Sequence, residues 1–236
     1  MTDFVLVPGA WLGAWVWKTT VPHLERRGHT AYPVTLTGMG ERGHLASNDV
    51  GMETGIQDVL NVINYNDLED FVLVGHSFAG KVVAAVADRL SEKVRKIIYL
   101  DGYTPDKVRT PQGAFPDEFP VAGSAVPFPV NFLDAVGKDV QGANREWMTS
   151  KTTSTPVRYL RDPITLSTKY DSLKRAYIYC TLGDTLAWYL SQVPGKSVDE
   201  ALKSTLDGPF RIMETGHWPM ITKSEELAEN LVFLAG

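Results

Sequence analysis

The segment Val74-Gly75-His76-Ser77-Phe78-Ala79-Gly80 sets a serine between an apolar run and a helix-like stretch of small residues. Gly75 and Ala79 flank Ser77 at two residues' distance, which leaves room for a tight strand-to-helix turn that projects the hydroxyl from a sheet edge. A serine hydroxyl is a weak nucleophile and needs a base within hydrogen-bond reach, oriented in turn by a third group. Among five histidines, His217 stands in Thr215-Gly216-His217-Trp218-Pro219, between the last strand-like and the last helix-like segment. A loop there can carry an imidazole over the carboxyl edge of a sheet, so His217 is the expected base. His76 precedes the serine, so its side chain is expected to point away and to serve packing or loop support. His23, His29 and His44 lack metal-ligand spacing with one another and receive no chemistry.

The third member of such a set is an acid between serine and histidine, just past the end of a strand. Asp184, after Cys180-Thr181-Leu182-Gly183, and Asp101, after Leu100, both satisfy that order. The reading favours Asp184, because its strand directly precedes the histidine strand. Asp101 stays as the alternative, with a cap or loop acceptor as its plainer role. Acyl transfer also needs donors for a developing oxyanion. The backbone N–H of Phe78 and that of Ala10, in the loop Pro8-Gly9-Ala10-Trp11, are the expected pair. Gly9 permits close backbone approach, whereas Pro8 has no N–H to give.

Elements that can position these groups recur along the chain. Phe4–Val7, Ala31–Val34, Phe71–Val74, Lys96–Leu100, Ala176–Cys180 and Phe210–Met213 read as short strands without polar alternation, as strands buried on both faces do. Helical periodicity covers Trp15–Arg26, Thr54–Ile63, Ser77–Leu90 and Ser224–Leu234, the last with Thr222 and Glu225 at capping-box spacing. Strand and helix in alternation predict a parallel sheet. From about Tyr103 to Arg175 the rhythm breaks. Six of the 14 prolines fall between Pro105 and Pro129, interleaved with Phe115, Phe119 and Phe128 and followed by Phe132. So many aromatics argue against a linker and for an ordered cap inserted between core segments 1–102 and 176–236.

Composition narrows the classes. A single cysteine among 236 residues excludes an intrachain disulfide and a cysteine-based zinc site. A net charge of -5 without a basic stripe argues against nucleic acid as partner. No apolar run reaches the roughly 18 residues of a membrane span. Met1-Thr2-Asp3 has no basic leader before the first strand, which gives the expectation of a cytoplasmic protein.

Taken together, Phe4–Trp11 with Gly13-Ala14-Trp15, Leu36-Thr37-Gly38-Met39-Gly40-Glu41-Arg42, Gly75–Gly80, Leu100-Asp101 and Gly216-His217 resemble the α/β-hydrolase superfamily. Within it the chain is similar to the plant methylesterase and hydroxynitrile lyase branch and to bacterial carboxylesterases, including pyrethroid hydrolases. The resemblance implies an eight-stranded, mostly parallel sheet with a helical cap and a cofactor-free serine carboxylesterase acting on apolar small-molecule esters. Trp11, Trp218, Phe115, Phe119 and Gly9 are the expected substrate contacts, suited to bulky or aromatic groups. Lyases of this branch use a threonine in the loop after the first strand and a lysine after the histidine; Gly9 and Trp218 stand there, which disfavours lyase chemistry. Lactone, thioester or carbon–carbon hydrolysis and a ligand-receptor role are the alternatives. Cap-bearing hydrolases often pair, so a homodimer is the assembly to look for.

Overall fold

Alternate side chains of a strand face opposite sides of its sheet, and in this protein both sides are covered. In the computed structural model, which describes residues 1–104, 124–182, 186 and 195–236, Phe4 and Leu6 of β1 (Asp3–Val7) enter one apolar cluster while Val5 and Val7 enter another. Beyond β2 (Thr30–Pro33), the same division separates Val72 and Val74 from Phe71 and Leu73 in β3 (Phe71–His76). It also separates Ile98 and Leu100 from Ile97 and Tyr99 in β4 (Val94–Leu100). This is why the apolar runs carry no polar alternation.

The chain continues through the short antiparallel pair β5 (Ala125–Val126) and β6 (Thr155–Pro156), then β7 (Arg175–Cys180) and β8 (Phe210–Met213). Six strands form the main sheet in the order β2-β1-β3-β4-β7-β8, every neighbour parallel. The family resemblance implies eight. Among the described residues the sheet has six, because β2 closes one edge and β8 the other. All six strands end on the same edge, so the loops after β1, β3, β4, β7 and β8 gather there, as parallel sheets require.

Helices cover both faces. α1 (Val21–Arg26) and the helix Ser224–Ala235 lie on one, with Leu24, Leu227 and Leu231 in the cluster of Phe4 and Leu6. α2 (Met52–Tyr65) and α3 (Ala79–Arg89) lie on the other, with Ile56, Val59, Val82 and Val86 in the cluster of Val5 and Leu73. The helix expected over Trp15–Arg26 is instead a 3₁₀ turn (Ala14–Trp17) followed by α1. Pro22 sits at the start of α1, where its missing N–H costs nothing but where it cannot continue an earlier helix. Of the stretch between β4 and β7, residues 124–174 are described, with helices α4 (Val130–Val136), α5 (Gly142–Lys151) and α6 (Val157–Arg161). Phe115 and Phe119 fall outside the described residues. No described helix is long and apolar enough to cross a membrane.

Candidate active site

β3 ends in a turn that holds Ser77 at φ 56°, and two further non-glycine residues of positive φ, Trp11 (68°) and Asp101 (39°), lie in the loops after β1 and β4. A left-handed non-glycine residue costs of order 1–3 kcal/mol. Phe71–Val74, all fully buried, stabilise the strand by roughly 1.5–3 kcal/mol per side chain, so the core readily holds this strain. Hydrogen bonds fix the turn locally. Ser77 N–H donates to Leu100 C=O (3.1 Å), and Ser77 C=O accepts from Gly80 N–H (3.1 Å) and Tyr103 N–H (3.0 Å). A β-carbon on Gly75 would stand 2.5 Å from the Val83 side chain, so glycine there lets α3 pass close to the strand. The small-residue rule read from the sequence thus has a packing cause.

Asp101 and His217 meet. Asp101 Oδ2 lies 2.6 Å from His217 Nδ1, with the aspartate fully buried and the histidine 7% exposed. The carboxylate can only accept, so Nδ1–H donates and Nε2 is left with its lone pair facing the other way. Asp101 Oδ1 accepts from Cys180 N–H (3.1 Å), and Asp101 N–H donates to Ile178 C=O (2.7 Å). Both β7 bonds lock the carboxylate against the neighbouring strand. The acid favoured from chain order, Asp184, lies outside the described residues. Cys180 is buried, and burial pushes its thiol up well above the ordinary range. Ser77 is half-buried at the tip of this turn.

The loop after β1 lies directly against the turn. A β-carbon on Gly9 would sit 2.8 Å from Ser77 Cβ and 2.7 Å from His76 Nδ1, so only glycine allows this approach. Ala10 and Phe78 are 3% and 2% exposed, and neither N–H donates to another described residue. Both residues flank the contact of Gly9 with the Ser77 turn, where acyl transfer would need donors for an oxyanion. The inserted segment steadies this loop. Trp11 N–H donates to Thr155 Oγ1 (2.7 Å), Trp11 Nε1–H to Val126 C=O (3.1 Å), and Thr153 N–H to Trp11 C=O (3.1 Å).

It steadies the histidine loop as well. His217 N–H donates to Val136 C=O at the end of α4 (2.8 Å). Asp139 Oδ2 accepts from the hydroxyls of Thr215 (2.6 Å) and Thr222 (2.8 Å). Burial alone would raise the Asp139 carboxyl; hydrogen bonds from Thr215, Gly216 and Thr222 outweigh it and hold the group below its ordinary value. Thr222 therefore does not cap the last helix as its spacing with Glu225 suggests. That helix starts after Lys223 with no side-chain cap.

Rings surround His217. Phe132 stands 6.1 Å from His217, 6.0 Å from Trp218 and 5.9 Å from Trp11 by ring centroid. Phe128 is 5.7 Å from Trp11 and 6.5 Å from Trp218, both edge-to-face. Trp11 and Trp218 are almost fully buried, while Phe128 and Phe132 are half-buried. The sequence marked the two tryptophans, and it offered Phe128 and Phe132 with Phe115 and Phe119 as aromatic rings of the stretch after β4 that could line a pocket. Among the described residues, no group of three or more His, Cys, Asp or Glu side chains could hold a metal ion.

Comparison with known proteins matches residues 4–230 to the alpha/beta hydrolase family. A carbendazim hydrolyzing esterase of Nocardioides sp. (strain SG-4G) is 42% identical over 125 residues, 53% of this chain and 52% of that protein, so the alignment spans about half the length of that relative. Methylesterase 2 of Arabidopsis thaliana is 26% identical over 262 residues, 98% of this chain and 95% of that one. An extracellular alpha/beta-hydrolase from a Paenibacillus species shares the fold at a TM-score of 0.80 and 24% identity, covering 99% of both chains. A pyrethroid hydrolase from Sphingobium faniae JZ-2 shares it at 0.74 and 22%, covering 99% of this chain and 97% of that one.

Proposed function

The chain belongs to the alpha/beta hydrolase family, and on that premise we propose that it is a serine carboxylesterase working through Ser77, His217 and Asp101. The observation that carries this reading is the buried 2.6 Å contact between Asp101 and His217 on the edge where Ser77 is held at positive φ. Methylesterase and esterase relatives support the reaction class. Ser77 Oγ bonds to the ester carbonyl carbon as its proton passes to His217 Nε2. Asp101 holds the imidazole in the tautomer that can accept that proton and stabilises the resulting imidazolium. The N–H groups of Ala10 and Phe78 receive the oxyanion. The carbon–oxygen bond to the alcohol breaks, and His217 returns the proton to the leaving oxygen. Water then attacks the acyl-serine, gives a proton to His217, and releases the acid as Ser77 recovers its hydrogen.

The substrate class follows from the rings around His217. Phe128 and Phe132, half-buried and backed by the buried Trp11 and Trp218, offer an apolar surface near His217, which suits esters bearing a bulky or aromatic group, pyrethroid-type esters among them. Gly9 has no hydroxyl, and Trp218 carries no charge to stabilise cyanide, so hydroxynitrile lyase chemistry is not favoured. The test is steady-state release of p-nitrophenol from butyrate and benzoate esters. The expected result is turnover by the native chain and a loss of about 10⁴-fold or more in Ser77→Ala. Full turnover in that variant would overturn the scheme.

A further inference from the structure

His76 is a fully buried histidine that the proposed reaction does not use. Its two ring nitrogens face two different loops. Nδ1 lies 3.2 Å from Gly9 N, in the loop after β1. Nε2 lies 2.8 Å from His217 O, in the loop after β8. A backbone N–H can only donate and a carbonyl can only accept. These partners therefore dictate the proton's place: Nδ1 accepts, and Nε2–H donates. The ring is not withdrawn from the site, as its place before the serine suggested, but lies 4.6 Å from the His217 ring.

The sheet order makes this bridge informative. Three strands, β3, β4 and β7, separate β1 from β8. At about 4.8 Å per strand the two loop origins are about 19 Å apart. One imidazole, rooted beside the nucleophile, joins the residue before the Ala10 donor to the backbone of the base itself. We infer that His76 is a positioning residue that sets the spacing between the oxyanion donors and His217 across Ser77. This rests on the esterase reading for its kinetic consequence, though not for its geometry.

The neutral ring is essential to the bridge. A second proton on Nδ1 would set N–H against the N–H of Gly9 and break the contact. Burial, and next the nearby His217, hold the His76 pKa well below its ordinary value, so the ring stays neutral. A neutral ring also adds no like charge beside His217 when that residue becomes an imidazolium. The bland alternative is a core histidine that merely satisfies two backbone groups. It makes no demand that either bond matter separately for turnover.

Three variants separate the two. His76→Asn places an acceptor near the Nδ1 position, His76→Gln places a donor near the Nε2 position, and His76→Leu keeps bulk with neither. The readouts are kcat and KM for p-nitrophenyl butyrate, inhibition by phenylboronic acid as a tetrahedral mimic, and hydrogen exchange of the Gly9 amide. The expected result for His76→Leu is a fall in kcat of about 10²-fold with KM within twofold and a parallel loss of boronate affinity, as when oxyanion donors are misplaced. His76→Asn keeps Gly9 amide protection, His76→Gln loses it, and each recovers part of kcat. The inference is overturned if His76→Leu, folded, retains native kcat and boronate affinity. It is equally overturned if Asn and Gln show the same Gly9 exchange, a comparison that stands even where the leucine variant does not fold. A native chain without esterase turnover but with Gly9 protection following this pattern would sink the reaction reading and leave the bridge in place.

Discussion

The sheet edge and the inserted segment hold the same two loops by different means. At the sheet edge the constraints are backbone ones: Ser77 and Asp101 at positive φ, glycine where a β-carbon cannot fit, and a carboxylate tied to the N–H of the neighbouring strand. The inserted segment reaches in with a hydroxyl, single carbonyls, a carboxylate and aromatic rings, through Thr155 and Val126 to Trp11, Val136 to His217, and Asp139 to Thr215. The first set leaves little freedom, because each contact is rooted in buried strands. The second can vary in side chain without disturbing the sheet. On the proposed reading, reaction chemistry belongs to the edge and substrate choice to the insertion.

If that division is right, the largest effect among changes outside the reacting groups comes from Gly9. In Gly9→Ala, the added methyl meets His76 and the Ser77 β-carbon, both of them rooted in β3. We expect kcat to fall about 10²-fold or more on every ester tested, measured by steady-state kinetics; a uniform rise in KM alone would break the comparison. A smaller and selective effect is expected in the insertion. Phe132→Ala removes a ring 6.1 Å from His217. Such ring contacts contribute about 0.5–1.5 kcal/mol beyond their area, so kcat/KM on the benzoate ester should drop about tenfold while acetate changes little. Equal losses on both would show that the rings serve the scaffold instead.

The smallest expected effect is at Asp139. Asp139→Asn weakens the hold on Thr215 and Thr222 by about 1 kcal/mol, read as a modest drop in Tm and a few-fold loss of kcat. Its folded carboxyl is held below the ordinary value, so the charged form's contribution is complete above the unfolded pKa of about 4 and is lost as pH falls through the folded one. The difference between native and variant should therefore stay flat from pH 5 to 9. A difference that grows across that range would place another titrating group in the contact.

Much of this molecule was legible in its residues, for identifiable reasons. Strands buried on both faces appear as unbroken apolar runs, and β1, β3, β4 and β7 lie within two residues of where those runs placed them. Ser77 was a candidate because its turn demands small neighbours, and His217 because it stands after the last strand. The acid was not. Asp101 and Asp184 both follow strands, and chain order cannot say how far a loop reaches sideways. Asp101 was distinguished by its contact with a neighbouring strand, for which the only local signal is the Asp-Gly step that eases a turn at a strand end. Thr222 misled for a related reason: its hydroxyl can cap a helix or bond across space, and Asp139 offered the second course. His76 could not be read as a bridge, since both partners are backbone groups from loops that come together only in the fold.

The account turns on which carboxylate serves His217. The most direct measurement is kcat/KM for p-nitrophenyl butyrate in Asp101→Asn beside Asp184→Asn. An amide at position 101 would present the wrong partner to Nδ1, so the account predicts a fall of about 10³–10⁴-fold in the first variant and near-native turnover in the second. Near-native turnover in Asp101→Asn with collapse in Asp184→Asn would contradict it.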